Sequence, residues 1–115
     1  MRALGIEVEA LSPEEARLAV VVGADHLNLH GTAHGGLLYA LADAAFALLS
    51  NQTAKAVALS TRIDYFRPVR PGERVEARAE VVHRGRRTAS YRVRLAVGDR
   101  PVGQFVGTVF HLEAS

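Results

Sequence analysis

One stretch limits what this chain can become. Leu37 to Ser50, LLYALADAAFALLS, is an apolar run long enough for about four helical turns. Leu37, Leu41, Ala44 and Leu48 recur at i, i+4, i+7 and i+11 and line one helical face. Leu38, Ala45 and Leu49 widen that face, which predicts a helix buried on most sides. Asp43 sits in its middle, the one residue with a full charge between Asp25 and Lys55. A carboxylate without a local partner is costly to bury. Two readings follow. Either the helix has a wet side and Asp43 is merely solvated on it, or burial raises its pKa and leaves it reactive as a nucleophile or general base.

The residues just upstream favour the second reading. Asn28-Leu29-His30-Gly31-Thr32-Ala33-His34-Gly35-Gly36 is a polar, glycine-rich loop that runs directly into the helix. Gly35-Gly36 at a helix start offers backbone N–H groups beside the positive end of the helix dipole. Such a place holds an anion, or an oxygen that becomes one. Glycine there also suits close packing. A donor pair and a stray carboxylate on one element point to acyl chemistry.

The pattern Asn28-x2-Gly31-x2-His34-Gly35-Gly36-x6-Asp43 resembles the signature of hotdog-fold acyl-CoA thioesterases, in particular the phenylacetate-degradation PaaI-like group. The likeness covers nearly the whole chain. It implies an α+β hotdog fold, an antiparallel sheet of five to six strands wrapped around one long central helix. It implies hydrolysis of an acyl-CoA to free acid and coenzyme A, with aryl-acetyl or hydroxyphenylacetyl groups foremost and medium acyl chains as an alternative. No metal or cofactor is expected, because coenzyme A belongs to the substrate. By the same resemblance Asp43 is nucleophile or general base, and Gly35 supplies the oxyanion N–H. Asn28 orients the attacking water or the thioester, unless it only makes an Asx-turn. His34 lies near the thioester sulfur or braces the loop. Thr61 of Ser60-Thr61 supplies a hydroxyl near the carboxylate.

The rest of the chain reads as strands. Residues 5–10 alternate apolar and acidic, residues 16–22 form a second strand, and Ser12 to Glu15 form a turn or capped helical turn. Residues 56–66 make a strand closed by Arg67-Pro68-Val69-Arg70-Pro71-Gly72. Val75, Ala77, Ala79 and Val81 face one way with Glu76, Arg78 and Glu80 opposite. His83 to Arg87 makes a turn; Ala89, Tyr91, Val93, Leu95 and Val97 then share a face. Gly98-Asp99 turns again before a last strand over residues 102–112. One domain of 115 residues is expected, with 49% hydrophobic and 23% charged residues. The absence of cysteine excludes disulfides, a thiolate zinc site and a cysteine nucleophile. With no signal peptide and no apolar run of spanning length, the expectation is a cytoplasmic protein with no membrane partner. The net charge of +2 is too small to imply nucleic acid.

One helix covers one face of a curved sheet and leaves edges open. A homodimer with continuous sheets is therefore expected, and a homotetramer as a pair of dimers. Gly35 and Asp43 are about 12 Å apart along a helix, too far to serve one carbonyl, so the site should lie between protomers. Leu38, Tyr39, Ala42 and Phe46, meeting across that dimer, should shape the acyl pocket. His26, His30 and His34 would clamp zinc only on a helix, and the glycines argue for loop. Arg84-Gly85-Arg86, with Arg87, suits the phosphates of coenzyme A better than nucleic acid; a solvated hairpin tip is the plain alternative. Two rival functions stand: a hotdog-fold hydratase or dehydratase, which pairs a histidine with the carboxylate, and a non-catalytic acyl-CoA-binding module, which has no use for Asp43.

Overall fold

The computed structural model describes residues 5–23, 35–52 and 54–112. The loop reading of residues 25–33, with Asn28, His34 and the His26/His30/His34 spacing, lies outside the described residues.

Strands β1 (Glu7–Leu11) and β2 (Glu15–Val21) form a hairpin, followed by helix α1 (Gly35–Ser50) and strands β3 (Ala56–Tyr65), β4 (Arg74–Arg84), β5 (Thr88–Val97) and β6 (Arg100–His111). They make one antiparallel six-stranded sheet in the order β1-β2-β4-β5-β6-β3. The helix crosses from β2 near one edge to β3 at the other, so it must lie across the sheet. This is the helix-in-sheet arrangement that the resemblance implied.

Period-two alternation decides which face meets the helix. Leu18 and Val20 of β2, Val75, Ala77 and Ala79 of β4, Ala89, Tyr91, Val93 and Leu95 of β5, and Phe105 and Val109 of β6 are all buried against it. Their neighbours Arg17, Arg78, Arg92 and Arg94 face outward beside Glu15 and Glu80; Arg17 pairs with Glu15 along β2, and the other three form ion pairs across the strands. Side chains of a helix and a sheet cannot both be large where they cross. Gly107 solves this: a Cβ there would stand 2.6 Å from the Phe46 ring, so the ring lies directly on the β6 backbone. Phe46 also meets Tyr91 and Phe105, at centroid distances of 5.9 and 5.3 Å.

Several boundaries differ from the sequence reading, each for a reason of pairing. Ser12 to Glu14 is a plain turn, because the Ser12 hydroxyl accepts from the Glu14 and Glu15 amides and no helical turn is needed. Glu15 already pairs with Glu80 and so belongs to β2. His83 and Arg84 continue β4, since both pair with β5 beyond a bulge at Val82. The last strand starts at Arg100, because Gly98, at φ +57°, lets the chain reverse within two residues. Of the four proposed pocket residues, Leu38, Ala42 and Phe46 are buried within their own chain and Tyr39 is half-buried. Among the described residues no helix is long and apolar enough to cross a membrane.

Candidate active site

Helix α1 begins at Gly35 itself, with no acidic residue in its first turn and no basic one in its last. Its apolar face presses Leu37, Leu38, Leu41, Ala42, Ala45 and Leu49 onto the sheet. The least buried stripe runs along Gly36, Ala40, Asp43 and Ala47. Asp43 is thus half-buried, on a strip of very small neighbours. Its carboxyl is pushed above the ordinary aspartate value by loss of hydration. No described residue forms an ion pair with it. The helix thus has a wetter side, and Asp43 lies on it with its carboxyl pKa raised by partial burial.

The far end of the helix is closed. The Asn51 and Gln52 side-chain amides donate to the carbonyls of Ala47 and Leu48, both at 2.8 Å. The His111 ring lies 3.2 Å from the Ser50 carbonyl. The near end faces strand β3. The Tyr65 hydroxyl donates to the Gly35 carbonyl at 3.1 Å, and its ring lies 3.5 Å from where a Gly35 Cβ would stand. One turn on, the Tyr39 and Thr61 hydroxyls share a hydrogen bond of 2.7 Å. Thr61 pairs with Gly107 and so faces the helix, whereas Ser60 pairs with Thr108 on the outer face. That selects Thr61 over Ser60 as the hydroxyl on the helix side.

Beside Gly35 opens a cleft of about 320 Å³ lined by Leu38, Tyr65, Phe66, Arg67, Pro68 and Val69. Sequence reasoning passed over Tyr65, Phe66 and Arg67. The available signal was an aromatic pair just before a proline turn, in a chain with three tyrosines and four phenylalanines. The Arg84-Gly85-Arg86 turn does not share this end. His111, which meets Ser50, donates its amide to the Arg87 carbonyl at 2.7 Å, so the turn sits at the helix's C-terminal end. Arg84 is itself engaged, donating to the Pro13 carbonyl at 3.0 Å. Among the described residues no group of histidine and carboxylate side chains is placed to hold a metal ion.

A strand-bound hydroxyl, a poorly solvated carboxylate and a glycine helix start on one apolar element fit hydrolytic acyl chemistry, and residues 30–104 match the thioesterase superfamily. The chain belongs to that superfamily. It is a thioester hydrolase with the hotdog fold. Acyl-coenzyme A thioesterase PaaI of Escherichia coli (strain K12) is 39% identical over 95 residues, 82% of this chain and 68% of that protein. A point variant of the phenylacetic acid degradation protein PaaI from Thermus thermophilus is 61% identical, covers 97% of each chain and superposes with a TM-score of 0.95. A hypothetical thioesterase protein of Streptococcus pneumoniae, solved with coenzyme A, is 27% identical with a TM-score of 0.85, over 92% of this chain and 87% of that one.

Proposed function

We propose that this thioesterase hydrolyses acyl-CoA thioesters, with aryl-acetyl or hydroxyphenylacetyl groups preferred, in a site shared by two copies of the chain. The preference is supported by the likeness to the two PaaI proteins, and coenzyme A by the neighbour that holds it. Asp43 either attacks the thioester carbonyl, expelling coenzyme A as thiolate and forming an anhydride that water then opens, or removes a proton from the attacking water. The Gly35 N–H receives the charge that develops on the carbonyl oxygen. Asn28 and His34 are assigned to the water or thioester and to the sulfur side. Neither metal nor cofactor takes part.

The observation that carries the shared site is the position of Tyr39. It is four residues from Gly35 and four from Asp43, about 6 Å each way along the helix. Its hydroxyl meets Thr61, the sixth of ten residues in edge strand β3. A two-fold axis through the middle of β3 exchanges these levels, bringing Asp43 of the partner subunit level with Gly35. The same axis carries the partner's Arg84-Gly85-Arg86 turn to the Gly35 end. There Arg86, exposed and free of the Pro13 contact that occupies Arg84, suits a phosphate of coenzyme A. The reading thus needs a homodimer with β3 paired to its own copy; a homotetramer, as a pair of such dimers, is compatible with it.

Release of free coenzyme A from a panel of acyl-CoAs tests the proposal. Asp43→Asn should lower turnover by at least ~10²-fold, the scale of a lost base, with acyl-CoA still bound. Near-normal hydrolysis by this variant ends the assignment of Asp43. Because the folded carboxyl titrates above its ordinary value, the acidic limb of the wild-type profile should also fall above that value. The stability sign runs the other way. A raised pKa favours the folded state below the unfolded value and disfavours it once the carboxyl ionises, so Asp43→Asn should melt no lower than wild type at neutral pH and lose any advantage in acid.

A further inference from the structure

We infer that Tyr39 and Tyr65 are positioning residues that register the two halves of the site against strand β3, so that this strand acts as the ruler of the active site. The inference rests on the shared-site reading above. Over β2, β4 and β5 α1 packs by apolar contacts, and at β6 the Phe46 ring sits on Gly107 while the His111 ring meets the Ser50 carbonyl at the helix's far end. At β3 the chain adds two directional bonds. Gly35 and Tyr39 are one helical turn apart, Thr61 and Tyr65 are four residues apart on one strand face, and the bonds run Gly35 to Tyr65 and Tyr39 to Thr61. They form two rungs between the catalytic helix and the edge strand.

Each rung fixes a group whose direction is otherwise loose. Glycine adopts a wider range of backbone angles than any other residue, so the Gly35 N–H is a poor oxyanion donor unless something holds its backbone. The Tyr65 hydroxyl holds the Gly35 carbonyl, and its ring lies within ordinary contact distance, 3.5 Å, of where a Cβ would stand. A threonine hydroxyl rotates freely until it has a partner, and Tyr39 supplies one at 2.7 Å. Tyr65 is 50% exposed and Tyr39 half-buried. Hydrogen bonds that water can replace add little to folding. What these two supply is position. Because Gly35 of one copy serves with Asp43 of the partner subunit, tying each half to its own β3 converts strand pairing into a set distance between the halves.

Phenylalanine removes each hydroxyl and keeps each ring. Tyr39→Phe and Tyr65→Phe should each lower kcat roughly three- to tenfold, the scale of one hydrogen bond, with KM and the melting temperature little changed. Tyr39→Phe combined with Thr61→Val should be no slower than the slower single variant, because both remove one bond. Chain assignment uses mixed dimers. Inactive Asp43→Asn and Gly35→Pro chains, unfolded and refolded together, should regain about a quarter of wild-type activity, since half the dimers are mixed and one of two sites in each is intact. Tyr65→Phe added to the Asp43→Asn chain, which supplies Gly35 to the intact site, should lower the regained activity; added to the Gly35→Pro chain it should not. A mixture that exchanges subunits yet stays dead overturns the shared site and the ruler with it. Recovery with silent tyrosine variants, or with loss equal from either chain, overturns the ruler alone.

Discussion

The two edges of the sheet are built differently. Strand β1 is five residues long, broken by a register shift at Glu9, and tied to β4 by the Glu9–Arg74 ion pair. Short length and the Glu9–Arg74 charge pair discourage a further strand from pairing there. Strand β3 is ten residues long; it too has a register shift, at Leu59, and both edges expose apolar side chains, Val8 and Leu11 on β1 and Val57 and Leu59 on β3. Strand β3 carries Thr61 and Tyr65, which hydrogen-bond to helix α1, and β1 carries no residue assigned to the proposed site. The charged ladder on the outer sheet face lies toward β1, where Arg17, Arg78, Arg92 and Arg94 share Glu15 and Glu80. One edge is short and tied down by charge; the other is long and lies beside Gly35 and Tyr39. That difference in length is what the proposed shared site requires.

Charge on each edge breaks the comparison most directly. Leu59→Lys puts a charge into the middle of the open edge and should leave monomers with at least ~10²-fold less turnover, the loss of a catalytic group. Val8→Lys, its counterpart on β1, should change neither mass nor rate. Sedimentation and coenzyme A release decide it, and a fully active Leu59→Lys dimer sinks the role given to β3.

A smaller effect is expected where β6 supports β3. Gly107→Ala forces a methyl group against the Phe46 ring and should cost ~1–3 kcal/mol, as overpacking does. Thermal melting measures this, and an unchanged melting temperature means that the ring moves aside freely. The least effect belongs to the β1 side. Glu80 is held below the usual glutamate range, first by its Arg92 hydrogen bond and then by the charges of Arg94, Arg92 and Arg78. A depressed carboxyl lends stability above its unfolded pKa and loses it as the pH falls through the folded one. Glu80→Gln should therefore cost no more than about 1 kcal/mol at neutral pH, as exposed ion pairs do, and the gap to wild type should close in acid. A large loss at neutral pH makes the ladder a structural necessity.

Strand faces and the helix were legible because each depends on local periodicity. Val75, Ala77 and Ala79 had to share a side of β4, and Tyr91, Val93 and Leu95 a side of β5, whatever their neighbours. The 12 Å problem was legible too, since helical rise alone separates Gly35 from Asp43 by about that distance. Strand ends were less so, because Glu15, His83 and Arg100 join the sheet through partners far along the chain. What surrounds Leu38, Ala42 and Phe46 was not legible for a related reason. An all-round apolar helix shows that its sides are buried, not by which chain.

By itself, then, the sequence determined the helix, the alternating strands, the isolated carboxylate and the glycine start, each a matter of residues within a few positions of one another. Tertiary structure alone decided that β3 lies beside β6, an order that alternation does not encode because a period of two says which face a residue takes and never which strand adjoins it. From that one choice come the Tyr39–Thr61 bond across 22 positions and the Tyr65–Gly35 bond across 30. The seat of Phe46 on Gly107 of β6 is likewise a matter of tertiary packing. These contacts join residues that chemistry makes compatible and only the sheet order makes adjacent.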